Sequence, residues 1–291
     1  VIGLSLWLGL VFATAFYLVG LGFYALDALA AVGIVIGATP GLIVSVIAVL
    51  SGIGFTVLNI TGTENAAKLQ NGIVALLLSM LVVFLGFGLL EAFGFVQVDT
   101  PPGEARNVWG VVPIMSVAAL VFTSYLGFAQ VATVAGEMKN PGRNLPLAMV
   151  GSVLIVTVLY ILTIFVATSV FTQDALEAAG ETAMVEVGRQ LLGPAGALVI
   201  IIGGLLATMS SANASVLSTS RAIYGVSKDA LLPQRASRIN LKYGTPHVAL
   251  GMAGGPVVVL AATRQVQLLA EVASFLHLIM YGLMCVALLA I

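Results

Sequence analysis

Residues Val111–Ser152, VVPIMSVAALVFTSYLGFAQVATVAGEMKNPGRNLPLAMVGS, decide how the chain folds. The run is apolar over a length that crosses a bilayer. Its middle nonetheless carries Thr123, Ser124, Tyr125 and Gly127, and it stops abruptly at Glu137-Met138-Lys139-Asn140-Pro141. In hydrocarbon every backbone N–H and C=O must be paired, so a helix can break at membrane depth only where the freed groups meet protein, water or a ligand. A broken membrane helix is therefore a place to look for a binding site.

Working outward from this stretch, composition sets the class. Of 291 residues, 60% are hydrophobic and 8% charged, against roughly 25% charged in a typical soluble domain, and the mean hydropathy is +1.14. The chain reads as an all-α polytopic membrane protein. A net charge of −1 supplies no basic field for nucleic acid. The single cysteine, Cys285, lies in an apolar run and excludes an intramolecular disulfide framework. The start at Val1 and the end inside an apolar run lead to the expectation of a fragment without a signal peptide.

Runs of about 20 apolar residues mark spanning helices, and eight occur. Five are Ile2–Leu26, Gly41–Leu58, Ala66–Leu90, the interrupted run at about 110–138 and Leu147–Phe171; the others are Gly193–Val226, Val248–Ala262 and Val266–Ile291. Polar connections separate them, at Asn59–Asn65, Val98–Glu104, Lys139–Pro146 and Lys228–Pro246. A longer excursion, Thr172–Leu192, carries Asp174, Glu177, Glu181 and Glu186 and reads as one or two short surface helices.

Consecutive spans must alternate sides. The side with the Glu64, Lys139 and Lys228 loops then holds Lys68, Lys139, Arg143, Arg221, Lys228, Arg235, Arg238 and Lys242. The other side holds Arg106, Arg189 and Arg264. The positive-inside rule places the Lys139 and Lys228 loops in the cytoplasm and the chain in the cell membrane.

Three blocks carry a family resemblance. Ser124-Tyr125-Leu126-Gly127-Phe128, followed by Glu137-Met138-Lys139-Asn140-Pro141, Arg143-Asn144-Leu145-Pro146 and Tyr160, resembles the sixth and seventh helices of amino acid permeases of the amino acid-polyamine-organocation superfamily. Ser210-Ser211-Ala212-Asn213-Ala214, Ser220-Arg221 and Lys228-Asp229-Ala230-Leu231-Leu232-Pro233 resemble the eighth helix and its following loop. Asn59 with Gly62 resembles the turn into the fifth helix. The resemblance implies a leucine-transporter-like fold of two inverted five-helix repeats. Residues 1–91 would be the end of the first repeat and 107–291 the second, together about helices three to ten within a single transporter domain.

The resemblance also implies an activity: secondary active transport of amino acids by alternating access, coupled to sodium or proton. A membrane receptor that binds an amino acid without moving it is the alternative. The substrate's ammonium would meet the backbone carbonyls of Thr123, Ser124 and Leu126, with Gly127 permitting the dihedrals of the break. Phe122, Tyr125 and Phe128 would shape the side-chain pocket. Members handling cationic amino acids often carry a carboxylate two positions after this glycine. Here that place is Ala129, which favours a neutral substrate.

Ala207, Ser210 and Ser211 resemble the cation site of sodium-coupled relatives, and hydroxyl and carbonyl oxygens suit a small alkali cation. Small-residue packing is the competing reading. The lysine that fills this site in some proton-coupled relatives corresponds to Leu77, which keeps sodium open as the bound ion; no other cofactor is expected. Glu137, Lys139, Arg143 and Arg221 are expected to form a charge cluster at the cytoplasmic helix ends, and Glu271 to lie at the outer interface. His277 is expected to be a hydrogen-bonded packing residue first and a pocket residue second. No P-loop, zinc-binding HExxH or nucleophile elbow occurs, so enzyme chemistry has no foothold.

Overall fold

A computed structural model describes residues 2–34, 39–61, 64–95, 110–229, 232–240 and 243–289. Among them are nine α-helices: α1 (Ile2–Ala31), α2 (Pro40–Thr61), α3 (Glu64–Ala92), α4 (Val111–Thr123), α5 (Pro141–Val170), α6 (Gln173–Ala179), α7 (Ala183–Lys228), α8 (His247–Ala262) and α9 (Val266–Leu289). A 3-10 helix, Phe128–Glu137, follows α4. The expected loop at Val98–Glu104, together with Arg106, Trp109, Gly62, Ala230, Leu231 and Lys242, lies outside the described residues.

The eight sequence runs appear as helices in chain order. Six described helices are long and apolar enough to cross a membrane. The 16-residue α8 and the interrupted segment of α4 with the 3-10 stretch complete the set. The fifth run starts earlier than its hydropathy indicates, because α5 begins at Pro141 and runs through Pro146. Pro141 is tolerated in the first turn, where its missing N–H has no helical partner, whereas Pro146 stands inside the helix and removes one bond of its ladder. The excursion after α5 folds into α6, a short 3-10 turn and the first part of α7. Thr172 Oγ1 caps α6 by accepting from the Ala175 N–H at 3.2 Å. At Gly193 (φ 64°, ψ −153°) the chain turns sharply within α7, with Pro194 behind it. A side chain at that φ would be strained, so glycine is required there.

α1 is the axis of the molecule. It packs against α2, α7, α8 and α9, and Val11, Ala15, Leu18 and Val19 join Val44, Ala48, Ala212, Val257, Ala261 and Leu269 in one buried cluster. Lipid tails are as apolar as these side chains, so close backbone approach drives the association. A Cβ added at Gly22 would stand 2.8 Å from the Val44 carbonyl oxygen, and one at Gly52 2.9 Å from Leu18 Cδ1. α3 packs against α5 and α7 through Phe84, Leu85, Val166, Ala167 and Val187. The opposite faces of α3 and α5 expose Val82, Phe87, Leu154, Ile155 and Ile161, as lipid-facing surfaces of a multi-pass membrane protein must.

The α1–α2 crossing gives a test of this packing. Gly22→Ala presses a methyl group onto a backbone carbonyl that cannot rotate away. It should lower stability by about 1–3 kcal/mol, read as a reduced midpoint of unfolding in detergent.

Candidate functional site

The interrupted segment diverges at its break. α4 leans on α9, whereas the 3-10 stretch lies against α5 and α7. Between them, the Ser124 and Tyr125 N–H groups bond back to the Val121 and Phe122 carbonyls, and the Phe128 N–H to the Tyr125 carbonyl at 3.3 Å. These are i→i−3 bonds, so the chain is overwound rather than extended. Ten residues of 3-10 helix inside a spanning segment are unusual, since such runs rarely exceed three or four residues and often mark a functional hinge.

Gly127 differs from expectation. Its φ of −75° and ψ of −24° are those of a right-handed helix, which any residue adopts. A Cβ there would meet nothing within 4 Å. The break is therefore made by the change in hydrogen-bond register and by side chains of neighbouring helices, and the dihedrals of this glycine contribute nothing special to it.

Those side chains come from α5. Tyr160 Oη donates to the Ser124 carbonyl oxygen at 2.8 Å, the contact expected of an external donor at a broken helix. Tyr125 Oη lies 2.9 Å from Thr157 Oγ1. The Thr157 hydroxyl already donates to the Val153 carbonyl at 2.8 Å. A threonine hydroxyl has one proton, so Tyr125 is the donor of the shared bond. The Tyr125 and Tyr160 rings meet edge to face with centroids 5.3 Å apart.

On the other side, α9 closes the segment with Tyr281. The ring of Phe122 meets Tyr281 edge-on at 6.0 Å, and that of Phe128 stacks on it at 5.4 Å. Both phenylalanines thus face protein. Leu126 is buried against Ala13 and Ala273, Ser124 is exposed, and the side chains of Thr123, Ala129 and Glu137 lie outside the description. The structure thus brings Phe122, Ser124, Tyr125, Leu126 and Phe128 into one neighbourhood with Tyr160 and Tyr281.

Gln130 anchors the 3-10 stretch to α7. Its Nε2 donates to Ser215 Oγ at 2.8 Å, and its Oε1 accepts from Ser218 Oγ at 3.4 Å. On α7, Ala207, Ser210 and Ser211 stand at i, i+3 and i+4, hence on one face, with Ser210 buried and Ser211 half-buried. Ala207 and Leu77 line one cavity of about 300 Å3 between α1, α3 and α7, with Tyr24 its one polar side chain. Leu77 thus shares a wall with Ala207. Ser210 and Ser211 are not among the described residues of that wall.

The remaining candidates settle as packing or surface groups. His277 is 1% exposed, its Nδ1 lies 2.7 Å from the Ala273 carbonyl oxygen, and its ring fills the space beside Gly9. Glu271 is exposed and accepts from Gln267 Nε2 at 2.8 Å. Lys139 and Arg143 are exposed at the entry to α5.

The break is thus bordered by two aromatic groups and joined to α5 and α7 by hydrogen bonds. The amino acid permease model matches residues 1–291. This chain belongs to the amino acid permease family. It is similar to an uncharacterized protein of Methanocaldococcus jannaschii, 26% identical over 181 residues, 62% of this chain and 40% of that protein. It is also similar to the serine/threonine exchanger of Bacillus subtilis, 25% identical over 136 residues, 46% of this chain and 31% of that protein. The aligned part of this chain thus covers less than half the length of either relative.

Sequence reasoning missed three residues that the structure brings to the candidate site: Gln130, Thr157 and Tyr281. Tyr281 stands one helical turn after His277, and Gln130 is an isolated amide in an apolar run; each signal was present but unranked. The Gln130 anchor is measurable. A double-mutant cycle of Gln130→Ala and Ser215→Ala should give a coupling of about 0.5–1.5 kcal/mol in unfolding free energy, and additive effects would show that the bond contributes nothing.

Proposed function

We propose that this permease chain is the core of a secondary transporter that moves a neutral amino acid across the cell membrane by alternating access, with its Lys139 and Lys228 loops in the cytoplasm. The observation that carries the reading is the Tyr160–Ser124 hydrogen bond. A carbonyl that has lost its helical N–H already recruits a donor from a neighbouring helix, and a substrate ammonium offers three such donors. Carbonyls of Thr123, Ser124 and Leu126 take the ammonium without burying an opposing charge, aided by the negative end of the α4 dipole. Phe122, Tyr125, Phe128 and Tyr281 enclose the side chain. Two points support a neutral substrate: the absence of a carboxylate at Ala129 and the serine/threonine exchange named for the Bacillus subtilis relative.

Coupling falls to a cation at Ala207, Ser210 and Ser211, with sodium as the occupant and proton coupling as the competing case. A ligand shifts the facing equilibrium only through its different affinity for the two states, and a cation held on α7 acts on the interrupted helix through the Gln130–Ser215 bond. Oxygen donors would come from Ser210, Ser211 and the α7 backbone, since Leu77 brings no charge.

The deciding experiment is uptake of labelled amino acids into proteoliposomes containing the full-length parent, under imposed sodium or proton gradients. Accumulation against a gradient is expected; saturable binding without accumulation would favour a receptor. Ser210→Ala combined with Ser211→Ala should abolish sodium activation, and unchanged activation would sink the cation assignment. Tyr160→Phe keeps the ring and removes the competing donor. The KM for uptake should fall roughly two- to tenfold; a KM that rises would mark Tyr160 as a support of the break instead.

A further inference from the structure

A recess of mixed polar and aromatic lining lies against α1, and no described residue of the interrupted helix lines it. Tyr17, Gly20, Tyr24 and Asp27 follow one face of α1, and Thr182 and Thr208 close the space with them to a cavity of about 180 Å3. Asp27 is half-buried, and among the described residues no ion pair reaches it. The guanidinium of Arg264, in the nearby α8–α9 connection, rests instead against Gly41.

The hydroxyl protons decide what the recess can accept. Thr208 Oγ1 donates to the Gly204 carbonyl at 2.7 Å, and Thr182 Oγ1 donates to the Ala179 carbonyl at 2.8 Å. A hydroxyl carries one proton and two lone pairs, so both threonines offer the cavity acceptors only. An ionised Asp27 is likewise acceptor-only and brings a full negative charge. Phe16, Phe23 and Val266 complete a largely aromatic wall with the rings of Tyr17 and Tyr24, so the carboxylate and the two threonine acceptors call for a positively charged donor that carries an apolar body.

We propose that this recess binds a primary ammonium group, held by the Asp27 carboxylate and by the lone pairs of Thr182 and Thr208. The alternative cation is a bare alkali ion. The volume exceeds the roughly 30 Å3 share of one water several times over, and aromatic residues such as the four in this wall attract organic cations. Tyr17 also packs in the cluster that holds Leu126 and Phe122, so an amine seated here is next to the break. The assignment stands without the transport reading, since it requires only binding.

The test uses the purified full-length parent and 2-aminoethanol, which carries an ammonium and no carboxylate, with thermal unfolding as the readout. Sodium chloride at matched ionic strength and sodium glycolate serve as separate arms. The expected result is a saturable rise of the midpoint with 2-aminoethanol and none with either salt. Asp27→Asn should weaken the apparent affinity roughly tenfold or more, Asp27→Glu should retain most of it, and Thr208→Val should weaken it measurably. An unchanged affinity in Asp27→Asn overturns the proposal. So does stabilisation by sodium chloride to which 2-aminoethanol adds nothing, which would make a bare ion the occupant. Should Asp27→Asn fail to fold, Thr208→Val decides by the same criterion. A 2-aminoethanol shift that survives while no amino acid accumulates in proteoliposomes would sink the transport reading alone.

Discussion

Backbone polar groups inside hydrocarbon have to find partners, and the rest of this structure follows from how residues 124–127 meet that demand. An unpaired carbonyl at membrane depth costs several kcal/mol, and here α5 lends the freed Ser124 carbonyl a hydroxyl donor. Tyr160 reaches the Ser124 carbonyl, and Thr157 receives the Tyr125 hydroxyl. The break is thus a joint product of two helices. The same dependence explains why α5 starts immediately after the 3-10 stretch: the connection is short, which keeps its tyrosine next to the segment it satisfies.

Around this break the helices divide their work by residue size. α1 carries small residues where α2 and α9 press close, at Gly22 and Gly9, and so serves as a rigid post. α7 carries hydroxyls and amides on the side that meets the 3-10 stretch and α2. Besides the Gln130 bonds, Asn213 Oδ1 accepts from Asn59 Nδ2 at 2.9 Å. Packing holds one side of the molecule and directed hydrogen bonds the other. Directed bonds can exchange partners at little cost, whereas close packing offers few alternatives. The polar side is therefore where the interrupted helix has room to rearrange.

Hydropathy alone made the eight spans legible, because a membrane enforces the length and composition of each run. Interruption of the fourth rested on the family resemblance, because serine, threonine and glycine in a membrane helix are by themselves more often packing residues. Identity of the partners was not legible. Tyr160 was visible only through family resemblance, and Tyr281, Thr157 and Gln130 required the three-dimensional arrangement of α9, α5 and α7. Gly127 shows the limit of composition-based reasoning, since glycine permits unusual dihedrals without adopting them. The start of α5 was misplaced because proline reads as a breaker in sequence, whereas Pro141 opens the helix and Pro146, its sixth residue, stands inside it.

The 3-10 stretch Phe128–Glu137 has a mechanical consequence. A 3-10 helix rises about 2.0 Å per residue and an α-helix about 1.5 Å. Rewinding all ten residues into α-helix would shorten the stretch by about 5 Å, close to the pitch of one α-helical turn. Side chains would also rotate about the axis, because three residues per turn become 3.6. A rewound stretch would draw the Lys139 end toward the break and would still keep its backbone bonds inside the segment.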